Sequence, residues 1–268
     1  MLQPLYAAAG TTLAHDVAVH AFYPVPAAQL APVIAELRDL ARIQGTPPGA
    51  ALGVSAAARA GNPAYLGRLR VLVLRYARGD QLVRVTVIGQ IAGSAAFAWI
   101  FRGLDRTGDA LVPIAIPGIA GAQQSALLAG GDAIYNVDRV ADAPAGFALA
   151  LNGVRFAAAA PDQRTAAVAA LIALQNPLLH DTNDLQCLAC HVATPLTARR
   201  ARATGVSPAT LPGYFASPRA LAVDTIASRD PRVVRAFGWA GQQPAISQRV
   251  VNETAAVLSE LEARFPPR

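Results

Sequence analysis

The feature that most constrains this chain of 268 residues is a pentapeptide in its C-terminal third, Cys187-Leu-Ala-Cys190-His191. It holds both cysteines of the protein and one of its four histidines. A helical pattern that ends at Asn176-Pro177 and a polar loop precede it, so we expect the pentapeptide to begin a new helix. Side chains three and four positions apart lie on one face of a helix. Two thiols and one imidazole are therefore expected to project together from its first turn.

Cys-x-x-Cys-His is the attachment signature of a c-type haem, and on these residues the chain resembles the c-type cytochromes. The resemblance is confined to Cys187, Cys190, His191 and their neighbours, a small part of the chain, but the motif is specific. It implies that the two cysteines anchor one covalent haem c through thioether bonds and that His191 is the proximal iron ligand. It also implies electron transfer outside the cytoplasm, in the periplasm or cell envelope, where the family's haem is attached.

Three other interpretations of the cysteines stay open. A dithiol redox motif has the same spacing, but it should follow the first strand of a βαβ unit, whereas a helix and a polar loop come first here. A structural zinc site needs four ligands, and Cys187, Cys190 and His180 supply only three. Two inert thiols in a hydrophobic core are the third alternative, because free cysteine often behaves as a small core residue.

Methionine is the usual sixth iron ligand in electron-carrier cytochromes c. Here the only methionine is Met1, which is a poor candidate. The other nitrogen ligands are His15, His20 and His180. His180 lies seven residues before Cys187, and the loop between them is long enough to reach the other face of a haem. We expect His180 to be the second iron ligand, with His20 or an open position as alternatives.

These ligand sets separate the possible functions. A haem with two protein ligands favours a non-enzymatic electron carrier. An open position favours a peroxidase or a sensor of small ligands. Without a haem, the chain would be a binding module.

The chain carries a net charge of +6, and all 23 of its basic residues are arginine. The arginine and the abundant alanine are typical of a GC-rich bacterial genome, and the charge is suited to an acidic redox partner. No basic block with interleaved aromatic residues is present, which argues against nucleic-acid binding. No apolar run is long enough to predict a membrane span. The first residues lack the pattern of a signal peptide, so we expect the chain to be mature or truncated at its start.

The fold class predicted from the hydrophobic patterns is α+β, in two parts. Residues 1–156 are predicted to form an antiparallel, β-rich domain of unknown role, and residues 157–268 a mainly helical, haem-binding domain. In the first part we predict a strand at 16–22 and a helix at 29–42. Hairpins are predicted at 68–88, with its turn at 78–80, and at 96–116, where prolines indicate an edge strand.

The later segments have weaker patterns. Strands are predicted at 133–137 and 147–151, and helices at 163–174, 230–237 and 247–265. Residues 205–218 contain three prolines and two aromatic residues. We predict a loop there that lies on a flat apolar surface such as a haem face, with an ordinary surface loop as the alternative.

Overall fold

A computed structural model describes residues 17–47, 50, 55–90, 97–128, 135–137, 140–181, 183–217, 236–240 and 243–266. Within these ranges an antiparallel sheet dominates the first half of the chain, and most of the helices follow it. The α+β class predicted from the sequence is therefore confirmed.

The sheet has six strands in the described part of the chain. They are β1 (Val17–Phe22), β2 (Arg84–Gln90), β3 (Phe97–Thr107), β4 (Ala110–Pro113), β5 (Gln123–Leu128) and β6 (Tyr135–Val137). Their order is β1-β2-β3-β5-β6, and β4 pairs with the far end of β3. The predicted hairpin at 96–116 is confirmed as β3 and β4, and β4 ends at Pro113, as a proline on an edge strand allows.

The first predicted hairpin is wrong in its first arm, because residues 68–76 belong to a helix. Helices α1 (Ala27–Gln44), α2 (Ala56–Arg59) and α3 (Pro63–Tyr76) lie between β1 and β2. The side chain of Asn62 accepts a hydrogen bond from the backbone N–H of Tyr65, and Pro63 occupies the first position of α3. Both are signals of a helix start. The alternating leucines and arginines of this segment obscured them.

The predicted strand at 147–151 is also wrong. Helix α4 (Phe147–Leu151) occupies it, followed by α5 (Gly153–Ala158). At the start of α4 the Asp142 carboxylate accepts hydrogen bonds from the backbone N–H groups of Gly146 and Ala148. A short apolar run does not distinguish a buried strand from a buried helix by its periodicity, and here the polar contacts before it decide for the helix.

The remaining helices follow the predictions more closely. They are α6 (Pro161–Leu174), α7 (Cys187–Thr204) and α8 (Gln248–Arg264). The pentapeptide therefore begins a helix, as predicted. The terminal helix starts after Ser247, whose hydroxyl oxygen accepts a hydrogen bond from the backbone N–H of Val250. Most of the predicted helix at 230–237 lies outside the described residues. Strands β7 (Phe237–Ala240) and β8 (Gln243–Ile246) form a separate hairpin before α8.

One hydrophobic cluster joins the sheet to the C-terminal helices. Trp99 and Phe101 of β3 pack in the same cluster as Phe147 of α4, Leu171 of α6 and Val192 of α7. Each such buried side chain contributes about 1.5–3 kcal/mol relative to an exposed one. The domain boundary between residues 156 and 157 stays a prediction. The hydrophobic cluster contains residues from both sides of this boundary. In the described ranges no helix combines the length and the apolar character that a membrane span requires, in agreement with the sequence prediction.

Candidate functional site

Helix α7 starts at Cys187 and is attached to the sheet by a buried glutamine of β5. The Gln124 side-chain oxygen accepts a 2.9 Å hydrogen bond from the backbone N–H of Leu188. Its amide nitrogen donates to the Gln186 side-chain oxygen at 2.8 Å, and Gln186 donates to the Ala141 carbonyl at 2.6 Å. The first backbone N–H groups of a helix have no partner within the helix. Gln124 satisfies one of them and thereby positions the start of α7 against the sheet.

Burial divides the first two turns of α7 into two faces. Leu188, Ala189, Val192 and Ala193 are 0% exposed, and they pack into the hydrophobic cluster. Cys187, Cys190 and His191 are each only partly buried. We name these three residues the motif face. Their shared position follows from the helical spacing. Each of the three residues keeps some exposure, although Cys187 and Cys190 also pack against the hydrophobic cluster.

The imidazole of His191 lies against the sheet. Its ring centroid is 5.1 Å from that of Phe101, with the two ring planes tilted by 58°. Phe101 is 1% exposed, so this contact restricts the orientation of the imidazole. Trp99 lies two residues before Phe101 on β3, and alternation places both on the same side of the sheet. The indole Nε1 of Trp99 is buried and has no hydrogen-bond partner among the described residues.

Both thiols are free, and burial changes their acidity. Burial raises the pKa of the Cys187 thiol above its usual value. For Cys190, burial raises the pKa to about 12, and the positive charge of Arg249 offsets this only in part. Both thiols are therefore neutral at pH 7. A dithiol redox centre depends on a stabilised thiolate, so the dithiol interpretation gains no support from this environment.

Arg249 of α8 makes several hydrogen bonds close to the motif face. It is 3% exposed. Its Nη1 donates to the carbonyls of Leu174 and Asn176, both at 3.2 Å, and its Nη2 donates to the carbonyl of His180 and to the Glu253 carboxylate, both at 2.7 Å. The guanidinium thus satisfies carbonyl groups at the end of α6 and in the loop that follows it. Its Nε is buried without a partner among the described residues.

His180 lies in the loop between α6 and α7, beside the same arginine. Its backbone N–H donates to the Asn176 carbonyl at 3.2 Å, and its backbone carbonyl accepts the bond from Arg249. The imidazole Nδ1 is 3.4 Å from a carboxylate oxygen of Asp184, and the side chain is 23% exposed. Arg249 therefore contacts the backbone of His180, and its positive charge also acts on the Cys190 thiol.

The other two histidines are His20 and His15. His20 lies on β1 opposite Thr86 of β2, and its Nδ1 is 3.2 Å from the Thr86 hydroxyl. Burial lowers the pKa of His20, so its imidazole is neutral at pH 7. His15 lies outside the described residues. To bind an iron, His20 would have to give up or share its contact with the Thr86 hydroxyl.

The predicted loop at 205–218 packs against α6 as far as it is described. The Asn176 side-chain amide donates to the Gly213 carbonyl at 3.0 Å. Gly213 has a φ of +82°, and a Cβ there would lie 3.2 Å from the Cα of Ala173. Close approach of the loop to the helix therefore requires glycine at this position. Tyr214 remains 46% exposed beside it.

The described residues contain no group of three or more His, Cys, Asp or Glu side chains arranged to hold a metal ion. The motif face brings together two thiols and one imidazole, the set of side chains that the attachment of a haem c requires.

Sequence reasoning missed Gln124 and Arg249. Neither residue stands out in the sequence, because a glutamine in a strand and an arginine in a terminal helix are common on protein surfaces. No protein-family model matches the chain, and no curated protein or solved structure is significantly similar to it. Fold and site thus describe an α+β protein with a Cys-x-x-Cys-His helix packed on an antiparallel sheet.

Proposed function

We propose that the protein is a c-type cytochrome that binds one covalent haem c and transfers electrons in the periplasm or cell envelope. The observation that carries the proposal is the motif face itself. Both cysteines and His191 are partly accessible, while the residues between and after them are 0% exposed. The net charge of +6 suits an acidic redox partner.

Cys187 and Cys190 would anchor the haem. Each thiol would form a thioether bond with one vinyl group of the haem, an addition of the S–H group that needs no oxidant. His191 would donate a ring nitrogen to the iron, and the contact with Phe101 restricts its rotation. The bound haem would supply the one-electron redox chemistry.

His180 is our proposed second iron ligand. The Asp184 carboxylate beside its Nδ1 favours the tautomer with a proton on Nδ1, which leaves Nε2 available to a metal. Metal-bound histidines commonly donate their second ring N–H to a carboxylate in this way. If His180 does not bind, the open position supports the alternative, a haem protein with a peroxidase or small-ligand-sensing function.

Expression with an export signal and the haem-attachment machinery is expected to yield one covalent haem per chain. Intact mass should exceed the apoprotein mass by one haem, and the band should retain haem stain in a denaturing gel. The Cys187→Ser/Cys190→Ser variant should lose all covalent haem, and His191→Ala should keep the attachment but lose the proximal ligand. His20→Ala is the matched control and should remain fully loaded. Apoprotein alone under these conditions would contradict the proposal.

The midpoint potential of the haem is expected to lie below that of cytochromes with a His/Met ligand pair. Methionine ligation raises the potential, and the only methionine is Met1. A redox titration followed by visible absorption measures the potential directly. The charge-transfer absorption band of an iron–methionine bond, or a potential in the His/Met range, would show that this ligand assignment is wrong.

A further inference from the structure

Helix α3 exposes a broad apolar surface that the hydrophobic cluster does not use. Its half-buried residues, Tyr65, Arg68, Leu69, Leu72 and Tyr76, lie on the side that faces α1. On the other side, Leu66 is 40% exposed, Val71 and Val73 are 45% exposed, and Leu74 is 63% exposed. We name Leu66, Arg70, Val71, Val73 and Leu74 the α3 surface. Four large aliphatic side chains at this exposure on one short helix indicate a contact surface.

The α3 surface is not the edge of the main core. The main hydrophobic cluster contains no residue from α1, α2 or α3 among those described. Instead α1 and α3 are joined through Glu36, which is 7% exposed. Its carboxylate accepts a hydrogen bond from Arg75, lies 3.2 Å from the Tyr76 hydroxyl and pairs with Arg68 at 3.8 Å. This network fixes the inner side of α3 and leaves its outer side free for another surface.

The charge around the α3 surface is mostly positive. Residues 27–80 contain seven arginines and three acidic residues, a net charge of +4 out of +6 for the whole chain. No acidic residue occurs between Asp39 and Asp80. Those two and Glu36 pair with the nearby arginines Arg42, Arg68, Arg75 and Arg78. Arg70, on the α3 surface itself, has no ion pair in the described ranges.

We propose that the α3 surface docks on a lipid bilayer that contains anionic phospholipids. Apolar residues flanked by arginines on one helix are the pattern of interfacial helices, which lie in the plane of the membrane. Leu66, Val73 and Leu74 would enter the boundary of the acyl chains. Arg70 would extend its charged end to lipid phosphates while its aliphatic part stays among the leucines.

Charge favours a bilayer over a second copy of the chain. A two-fold dimer through the α3 surface would bring the same patch of each subunit together. The Arg70 side chains of the two copies would then be brought into the same apolar contact, which is unfavourable. An anionic bilayer has the complementary charge, and each arginine near its surface contributes about 1 kcal/mol, or a factor of about five in binding. The proposal does not depend on the haem.

Sedimentation with lipid vesicles tests the proposal on the full chain. The protein should bind vesicles of phosphatidylcholine with 30% phosphatidylglycerol, and bind pure phosphatidylcholine vesicles at least about five-fold more weakly. Leu66→Ser/Leu74→Ser should weaken binding to the anionic vesicles more than about ten-fold, because two exposed leucines no longer enter the lipid. Arg70→Glu should weaken it about ten-fold or more.

Matched controls separate the surface from the overall charge and hydrophobicity. Val154→Ser/Val257→Ser removes two aliphatic side chains that are 65% and 55% exposed elsewhere, and should bind as the wild type does. Arg264→Glu makes the same change in net charge as Arg70→Glu and should have a much smaller effect. Failure of the wild type to bind anionic vesicles would overturn the proposal. Equal effects of Arg264→Glu and Arg70→Glu would also overturn it. So would a wild-type protein that does not bind vesicles but forms a dimer that Leu66→Ser/Leu74→Ser abolishes.

Discussion

Replacement of Arg249 by alanine is expected to lower the free energy of unfolding by about 3–5 kcal/mol. The guanidinium donates hydrogen bonds to the carbonyls of Leu174, Asn176 and His180, and to Glu253. Alanine leaves the three carbonyls without this donor and creates a cavity among α6, α8 and the loop that carries His180. Urea unfolding followed by far-UV circular dichroism measures the loss of stability. In thermal unfolding, the melting temperature should fall by roughly 10 °C.

The same helix offers a control for this effect. Arg264 pairs with Glu260 one turn earlier at 3.4 Å, but its side chain is 59% exposed. Exposed pairs of this kind contribute at most about 0.5 kcal/mol, so Arg264→Ala should be nearly neutral. Arg249→Lys keeps the charge but cannot reproduce the forked hydrogen bonds, and should fall between alanine and wild type. Equal stability of Arg249→Ala and Arg264→Ala would show that the buried hydrogen bonds contribute nothing measurable.

Replacement of His180 by alanine is expected to convert the ferric haem from low spin to high spin while the covalent attachment stays intact. Among residues 157–268, His180 and His191 are the only histidines, so a second nitrogen ligand from this part of the chain must be His180. Loss of a strong axial ligand weakens the ligand field of the iron. Optical and electron paramagnetic resonance spectra of the ferric protein report the change, and the haem stain of a denaturing gel reports the attachment.

Two further variants test the ligand assignment. Asp184→Asn should keep the low-spin state but shift the midpoint potential, because the carboxylate at 3.4 Å no longer polarises the imidazole. His20→Ala should leave the spectrum unchanged. A low-spin spectrum that survives His180→Ala and is lost in His20→Ala would assign the ligand to the sheet. A high-spin wild-type protein would instead favour the peroxidase or sensing alternative.

Local signals predicted several elements correctly. The hairpin of β3 and β4 follows from two alternating runs around Thr107-Gly108-Asp109, and the terminal helix follows from its apolar spacing. The predictions at 68–76 and 147–151 are wrong because the spacing of their apolar residues is compatible with both strand and helix. Polar contacts close in sequence favour the helix in both cases: Asn62 caps α3, and Asp142 accepts hydrogen bonds from backbone N–H groups at the start of α4. Helix α3 also contacts Glu36 of α1.

The sequence by itself determined the chemical content of the candidate site. Cys187, Cys190 and His191 share one helical face because of their spacing, and His180 is the nearest further histidine. Only the tertiary structure decided their environment. Gln124 lies 64 residues before Leu188, and Arg249 lies 69 residues after His180. Hydrogen bonds over such separations depend on how the sheet and the helices pack, and neither residue has a pattern that marks it in the chain. The periodicity of neighbouring residues is therefore readable from the sequence, whereas these buried polar contacts exist only in the folded protein.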